Sequence, residues 1–310
     1  MTMAHRSDAV HVRAPGKINV YLGVGPRHDD GYHALATVFQ AVSLYEDVYA
    51  HPSDGFSIEV IGDVNVADVP TDDRNLAMRA AKLLAHTAGV ADGVHLMIRK
   101  GVPVAGGMGG GSADAAAALV ACDALWGTDL GPHRLHELAA RLGADVPFAL
   151  HGGTAVGTGR GDQLTPALAR GRFDWVLVLS DEGLSTPVVY GRLDEMRSQG
   201  EGLADDAAPT LEVPVAMLHA LRVGDAQELA PVMMNDLEPA AISDRADLAL
   251  ALADGLRFGA LTGIVSGSGP TLAFLCAGPE VARTVQDELR ATGRDALHVH
   301  GPVPGARIIP

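Results

Sequence analysis

The chain has 310 residues and is short of three things: aromatics (4%), cysteine (2 residues) and long apolar runs. Each shortage excludes something. Cys122 and Cys276 stand far apart and match no metal spacing, so neither a disulfide framework nor a zinc site is expected. Both lie among apolar neighbours, as small core residues do. No stretch reaches the ~18 apolar residues of a membrane span. Met1 to Asp8 is polar rather than signal-like, so a cytoplasmic protein is expected. Few aromatics leave Ala, Val and Leu to build the core, and the length suggests about two domains.

Positive charge is also scarce. The net charge of −15 argues against nonspecific binding to nucleic acid or to an anionic membrane. It also means that an anionic substrate must be met by local cations, because the overall field repels it. Lysine occurs only as Lys17, Lys82 and Lys100. Lys17 and Lys100 each adjoin glycine at the edge of a motif, where a compact ammonium serves differently from an arginine fork.

Glycine, by contrast, is concentrated. Five of the six residues from Gly106 to Gly111 are glycine, and a strong helix former follows from Ser112 to about Leu125, apolar on nearly all sides. Bare backbone approaches a phosphate closely, and a helix N-terminus adds free N–H groups and a positive dipole end. No Lys-Ser or Lys-Thr follows, so this is not a Walker A loop, and no frame reads G-x-G-x-x-G. A simple turn needs one or two glycines, not five. The segment reads as a polyphosphate cradle. The Ser112 hydroxyl is placed either to reach Mg²⁺ or phosphate, or to cap the helix.

The remaining pattern is mixed. Strands are expected at Val10 to Val12, Ile18 to Val24, Thr37 to Leu44, Asp47 to Ala50, Phe56 to Val60 and Val94 to Arg99. A helix capped by Asp72 or Asp73 runs to about Thr87, and another runs from Pro132 to Leu142. Composition shifts near 166–172. Beyond it come a strand at Trp175 to Ser180, a polar mobile loop at 200–209, helices near 215–221, 226–234, 243–256 and 279–291, and strands at Ile264-Val265, Thr271 to Cys276 and Ala296 to His300. Neighbouring strands followed by helices indicate α+β rather than a doubly wound sheet.

Four segments carry chemistry: Pro15-Gly16-Lys17-Ile18-Asn19, the glycine loop, Gly143-Ala144-Asp145-Val146-Pro147, and Ser266-Gly267-Ser268-Gly269-Pro270. Together, in this order and over the whole length, they resemble the GHMP kinase superfamily (galactokinase, homoserine kinase, mevalonate kinase and relatives). The resemblance implies a two-domain α+β fold. Residues 1–168 would form an N-terminal, ATP-binding half like ribosomal protein S5 domain 2. Residues 169–310 would form a ferredoxin-like α/β sandwich that contributes to substrate binding, with the active site in the cleft between.

The resemblance further implies transfer of a phosphoryl group from ATP, with Mg²⁺, to the alcohol of a small molecule. Asp145 would be the catalytic aspartate, and Lys17 would pair with it and lower the pKa of Asp145 or of the alcohol. An acid within an apolar stretch is costly unless partnered, which suits that pairing. ATP would lie on Pro103, Val104, Ala105, Gly106, Gly107, Met108, Gly109, Gly110, Gly111 and Ser112. Lys100 and Asn75 match nucleotide-contacting positions.

The block Asp30-Gly31-Tyr32-His33 resembles one branch of the superfamily, whose acceptor is a cytidine diphosphate derivative of methylerythritol used for isoprenoid precursors. Tyr32 would then stack on the pyrimidine, His33 read its edge and Tyr190 supply the second aromatic. Asn19 would bond the alcohol or a phosphate, and Ser268 and Gly269 would offer backbone donors to the substrate phosphates. Both a monomer and a homodimer fit. A kinase for another small alcohol, and a sensor that binds nucleotide without catalysis, remain open alternatives. After its glycines the chain has Ser112-Ala113-Asp114 where that branch often carries Ser-Ser or Ser-Asn, which leaves the metal ligands unassigned.

Overall fold

A computed structural model of the chain describes residues 9–29, 31–62, 64–180, 182–200 and 211–310. The first two strands are long: β1 is Val10–Arg27 and β2 is His33–Ser53, each replacing two shorter strands expected from the sequence. The break predicted at Ala14-Pro15-Gly16-Lys17 is a bulge, marked by a register shift between Pro15 and Gly16. Pro15 pairs with Tyr45 and Gly16 with Val42, so Ser43 and Leu44 of β2 bulge out of the ladder and the pair bends there. Before the irregularity Val12 and Ala14 pack against helices, and beyond it Ile18 and Val20 pack against a second sheet. Lys17 and Asn19, two apart, emerge together on the opposite side.

The first half continues with β3 (Phe56–Gly62), α1 (Leu76–Ala88), β4 (Gly93–Lys100), α2 (Gly110–Trp126), α3 (Gly131–Leu142), α4 (Val146–His151), β5 (Thr154–Thr158) and β6 (Gln163–Pro166). Asn75, not Asp72 or Asp73, caps α1: its side chain accepts the Ala77 N–H. The small, apolar surface of α2 explains its position. Ala115 to Leu119 are all fully buried, enclosed by the sheet and the other helices of this half.

The second half contains β7 (Phe173–Leu179), α5 (Thr186–Ser198), α6 (Val215–Val223), α7 (Ala226–Leu229), β8 (Met234–Asn235), α8 (Glu238–Asp244), α9 (Ala246–Arg257), β9 (Thr262–Val265), β10 (Leu272–Cys276), α10 (Pro279–Ala291), β11 (Asp295–Gly301) and β12 (Arg307–Ile308). Its antiparallel sheet runs β11-β7-β10-β9. Counted from its own first strand, that is the fourth-first-third-second order of the expected ferredoxin-like sandwich. Phe274 fills the space left by two glycines, since a Cβ at Gly255 or Gly263 would lie 2.2 or 2.5 Å from its ring. The first sheet runs β12-β1-β2-β4-β3, with β5 and β6 beyond β2 and with β8 on β1. The chain thus returns twice from the second half to the first sheet.

The halves share one core. Ile18, Val20, Val38 and Val42 pack with Phe173, Trp175 and Leu177. The buried Trp175 Nε1 donates to Gln40 Oε1 at 2.9 Å, which satisfies both polar groups across the junction. Cys122 and Cys276 are buried and free. The predicted mobile loop falls, after Gly200, outside the described residues.

Candidate active site

The glycine loop connects β4 to α2 and is held from both halves. Gly109, in the left-handed region, is the N-cap, so α2 begins at Gly110, two residues before the predicted start at Ser112. Among the described residues no side chain caps the helix, so its first turn can offer N–H groups to a ligand. A Cβ at Gly111 would meet nothing within 4 Å, so this turn is open. Ser112 belongs to it and does not cap it. On the other side, Gly107 (φ +76°) lies against the second glycine turn: a Cβ there would be 2.8 Å from the Ser266 carbonyl oxygen. The Lys17 N–H donates to the Met108 carbonyl at 2.9 Å, tying β1 to the loop.

Next to this loop lie Lys17, Asn19 and Asp145. Lys17 Nζ donates to Asn19 Oδ1 at 2.7 Å and is 4.0 Å from Asp145 Oδ2. Asn19 is fixed from behind, because its Nδ2 donates to Thr37 Oγ1 (2.8 Å) and that hydroxyl donates to the Tyr21 carbonyl (2.7 Å). Burial pulls the Lys17 ammonium below the usual lysine range, and the Asp145 charge opposes this. Asp145 ends the turn before α4 and keeps its side chain 34% exposed. The 266–270 turn closes the group. Asn19 N–H donates to Ser266 Oγ, and Asn235 Nδ2 donates to the Val265 and Gly267 carbonyls at 2.7 Å each. A cavity of about 240 Å³ is lined by Lys17, Asn19, Asp145 and Gly267 together with Thr37, Gly109 and Ser268.

A larger cavity, about 560 Å³, adjoins it, lined by Arg27, Tyr32, His33, Arg160, Tyr190 and Asp194 among others. His33 Nε2 lies 2.8 Å from Asp194 Oδ1, and its ring is 5.1 Å from that of Tyr190. Burial, aided by the Asp145 charge, pushes the Tyr190 phenol up to about 12, so it stays a neutral hydrogen-bonding group. The Arg160 guanidinium lies 4.0 Å over the Tyr32 ring. Arg160 and Tyr190 line both cavities. Ser268 Oγ pairs with Thr186 Oγ1 at 2.8 Å. Asp30 falls outside the described residues.

On the far side of the loop is a third cavity of about 370 Å³, lined by Pro70, Arg74, Asn75 and the loop from Pro103 to Gly111. Asn75 and Lys100, expected to hold nucleotide, both line this cavity and also carry structural contacts. Besides capping α1, the Asn75 side chain donates to the Pro70 carbonyl. The Lys100 ammonium is buried against Glu46 and Asp114 and turned under α2. Asp114 is held by this ion pair. Among the described residues no three His, Cys, Asp or Glu side chains cluster as a metal site. Side-chain oxygens beside the loop include those of Ser112 and Asp145, which suits Mg²⁺, an ion that keeps waters and phosphate oxygens as most of its ligands.

Sequence reasoning missed Thr37, Asn235 and Arg160. Thr37 and Asn235 are polar residues in apolar runs, which is their one visible signal; Arg160 gives none, because its place depends on the β5–β6 turn.

Comparison with known proteins agrees with this architecture. Residues 75–153 match the model for the GHMP kinases N terminal domain, and residues 217–295 match GHMP kinases C terminal. The chain belongs to the GHMP kinases, enzymes that use ATP. It is 56% identical to the 4-diphosphocytidyl-2-C-methyl-D-erythritol kinase of Leifsonia xyli subsp. xyli, over 97% of this chain and 99% of that one. It is 54% identical to the enzyme of the same name from Clavibacter michiganensis subsp. michiganensis, over 99% and 98%. A crystal structure of 4-(cytidine 5'-diphospho)-2C-methyl-D-erythritol kinase superposes with a TM-score of 0.76 at 33% identity, covering 94% of this chain and 98% of that one.

Proposed function

We propose that this chain transfers the γ-phosphoryl group of ATP to the 2-hydroxyl of 4-diphosphocytidyl-2-C-methyl-D-erythritol, in isoprenoid precursor synthesis. The observation that carries the reading is the continuity of the cavities. The 240 Å³ chamber holding Lys17, Asn19 and Asp145 lies between the glycine loop and the 560 Å³ chamber holding Tyr32, His33 and Tyr190. A small alcohol such as homoserine would leave the larger chamber unused. A nucleoside diphosphate ester fills both.

ATP with Mg²⁺ supplies the phosphoryl group and neutralises its charge, with the Ser112 hydroxyl and the free amides of 107–112 facing it. The protein's own residues do the rest. Asp145 orients the alcohol and receives its proton. Lys17 holds positive charge beside the oxygen as it becomes anionic. Asn19, fixed by Thr37, presents its amide oxygen to Lys17 and thereby aims the ammonium. Tyr32 and Tyr190 flank the cytosine and His33 reads its edge, while Arg160 sits where the two chambers meet, a suitable cation for the diphosphate. Residues 1–168 supply the nucleotide seat, and residues 169–310 add Tyr190, Ser268 and Gly269.

The test is to incubate the protein with ATP, Mg²⁺ and the cytidyl substrate and to follow phosphorus NMR. A new phosphomonoester resonance is expected. Its absence, with homoserine or mevalonate phosphorylated instead, would sink the substrate assignment.

A further inference from the structure

Beneath the glycine loop lies a buried charge cluster that the reaction scheme does not use. Lys100 Nζ donates to Glu46 Oε1 at 2.5 Å and to Asp114 Oδ2 at 2.7 Å, and the three side chains are 3%, 0% and 4% exposed. The second Glu46 oxygen accepts the Gly101 N–H at 2.9 Å. Gly110 rests on the same carboxylate, since a Cβ there would lie 2.8 Å from Glu46 Oε1. Gly101 is the residue after β4, and Gly110 is the first of α2. One carboxylate on β2 therefore touches both ends of the loop.

Stability alone does not account for this arrangement. One ammonium serves two carboxylates, and Asp114 Oδ1 is buried without a hydrogen-bond partner among the described residues. Buried ionic groups of this kind often contribute no more than well-packed apolar side chains would. What the cluster does deliver is a fixed spacing between the ends of the loop and a fixed tilt of α2.

We propose that Glu46 is a positioning residue for phosphoryl transfer: it buckles the two ends of the glycine loop together, with Lys100 and Asp114 holding the buckle, and so aims the loop amides at the polyphosphate. The proposal rests on the reading of this loop as the ATP seat.

Glu46→Ala is the first variant. It leaves a neutral Lys100–Asp114 pair, so the fold keeps a compensated cation. Calorimetric titration with a non-hydrolysable ATP analogue should show affinity falling about tenfold or more. KM for ATP should rise in step, with KM for the cytidyl substrate unchanged. Gly110→Ala drives a methyl into the same carboxylate and should act alike. The double variant should be no worse than either single one, because removing the carboxylate makes room for the methyl. If Glu46→Ala does not fold, Gly110→Ala carries the same comparison of the two KM values. Unchanged analogue affinity, a smaller active fraction with both KM values intact, or losses that add in the double variant would overturn the proposal. A wild-type protein that binds the analogue but does not phosphorylate the cytidyl substrate would refute the substrate reading alone, and one that binds no analogue would refute both.

Discussion

At the reacting centre a few atoms decide the outcome. Asp145 and Lys17 face each other at 4.0 Å, a separation that leaves both groups available to a third partner instead of consuming them in a tight pair. Asp145→Asn keeps the shape and removes the base. We expect kcat to fall by roughly 10²–10⁴ with ATP-analogue affinity retained, measured by steady-state rates and calorimetry. Lys17 adds a pH signature. Burial lowers its pKa, so its charge is lost at lower pH than for an ordinary lysine. The alkaline fall of kcat should follow that loss, and an arginine there, which does not titrate, should abolish this limb if it still turns over. Tyr32→Ala should raise KM for the cytidyl substrate well above any change in KM for ATP. Equal changes in both would indicate a folding defect instead. Lys17 and Asp145 each stood out in the sequence, one as a rare lysine and the other as an acid in an apolar stretch, and the family resemblance implied their pairing. The restraint of Asn19 by Thr37 was not legible, because it depends on the register of β1 against β2.

At the level of elements, the two glycine turns press on each other, and Gly107 has no room for a side chain. Gly107→Ala would place a non-glycine residue at φ +76° and a methyl 2.8 Å from the Ser266 carbonyl. The backbone term alone costs about 1–2 kcal/mol. Denaturant unfolding should show at least that loss, together with weaker binding of the ATP analogue. Leu119→Ala, in the fully buried stretch of α2, provides the contrast. It should cost about 2–5 kcal/mol with both KM values near normal, because the cavity lies away from the loop. Most elements were readable from period and punctuation: the helix from Pro279 to Ala291 appears at its predicted bounds. The β1 and β2 pair was not, because a Pro-Gly that looks like a break between strands runs on as one strand where the partner, β2, bulges opposite it. The helix α5, which carries Tyr190, also escaped, since its residues show little separation into apolar and polar faces.

For the whole molecule, the shared core makes unfolding of either half unfavourable for the other. The Glu46 cluster then leaves a mark on stability against pH. Burial and the neighbouring Asp114 push the Glu46 carboxyl up to about 8 from an ordinary 4.5. A group whose pKa is raised by folding holds its proton more tightly in the native state. Its contribution is therefore complete below the ordinary value and is lost as pH rises toward about 8. Thermal unfolding of the wild type should show Tm declining over that window, and Glu46→Ala should flatten the decline. A parallel decline in the variant would assign the slope to other groups.

The sequence by itself determined the chemistry available: a glycine cradle, two rare lysines near motifs, one acid in an apolar stretch, and an Ala-Val-Leu core arranged as α+β. These are local properties, set by side-chain size, charge and period. Only the tertiary structure decided which groups meet. It gave Lys100 and Asn75, which line the cavity of about 370 Å³ beside the loop, an ion cluster and a helix cap as partners, joined Thr37 and Asn235 to the site, and set Arg160 over Tyr32. Those contacts depend on strand register and on how two halves close upon one core, and a one-residue shift in register would place each side chain on the opposite face.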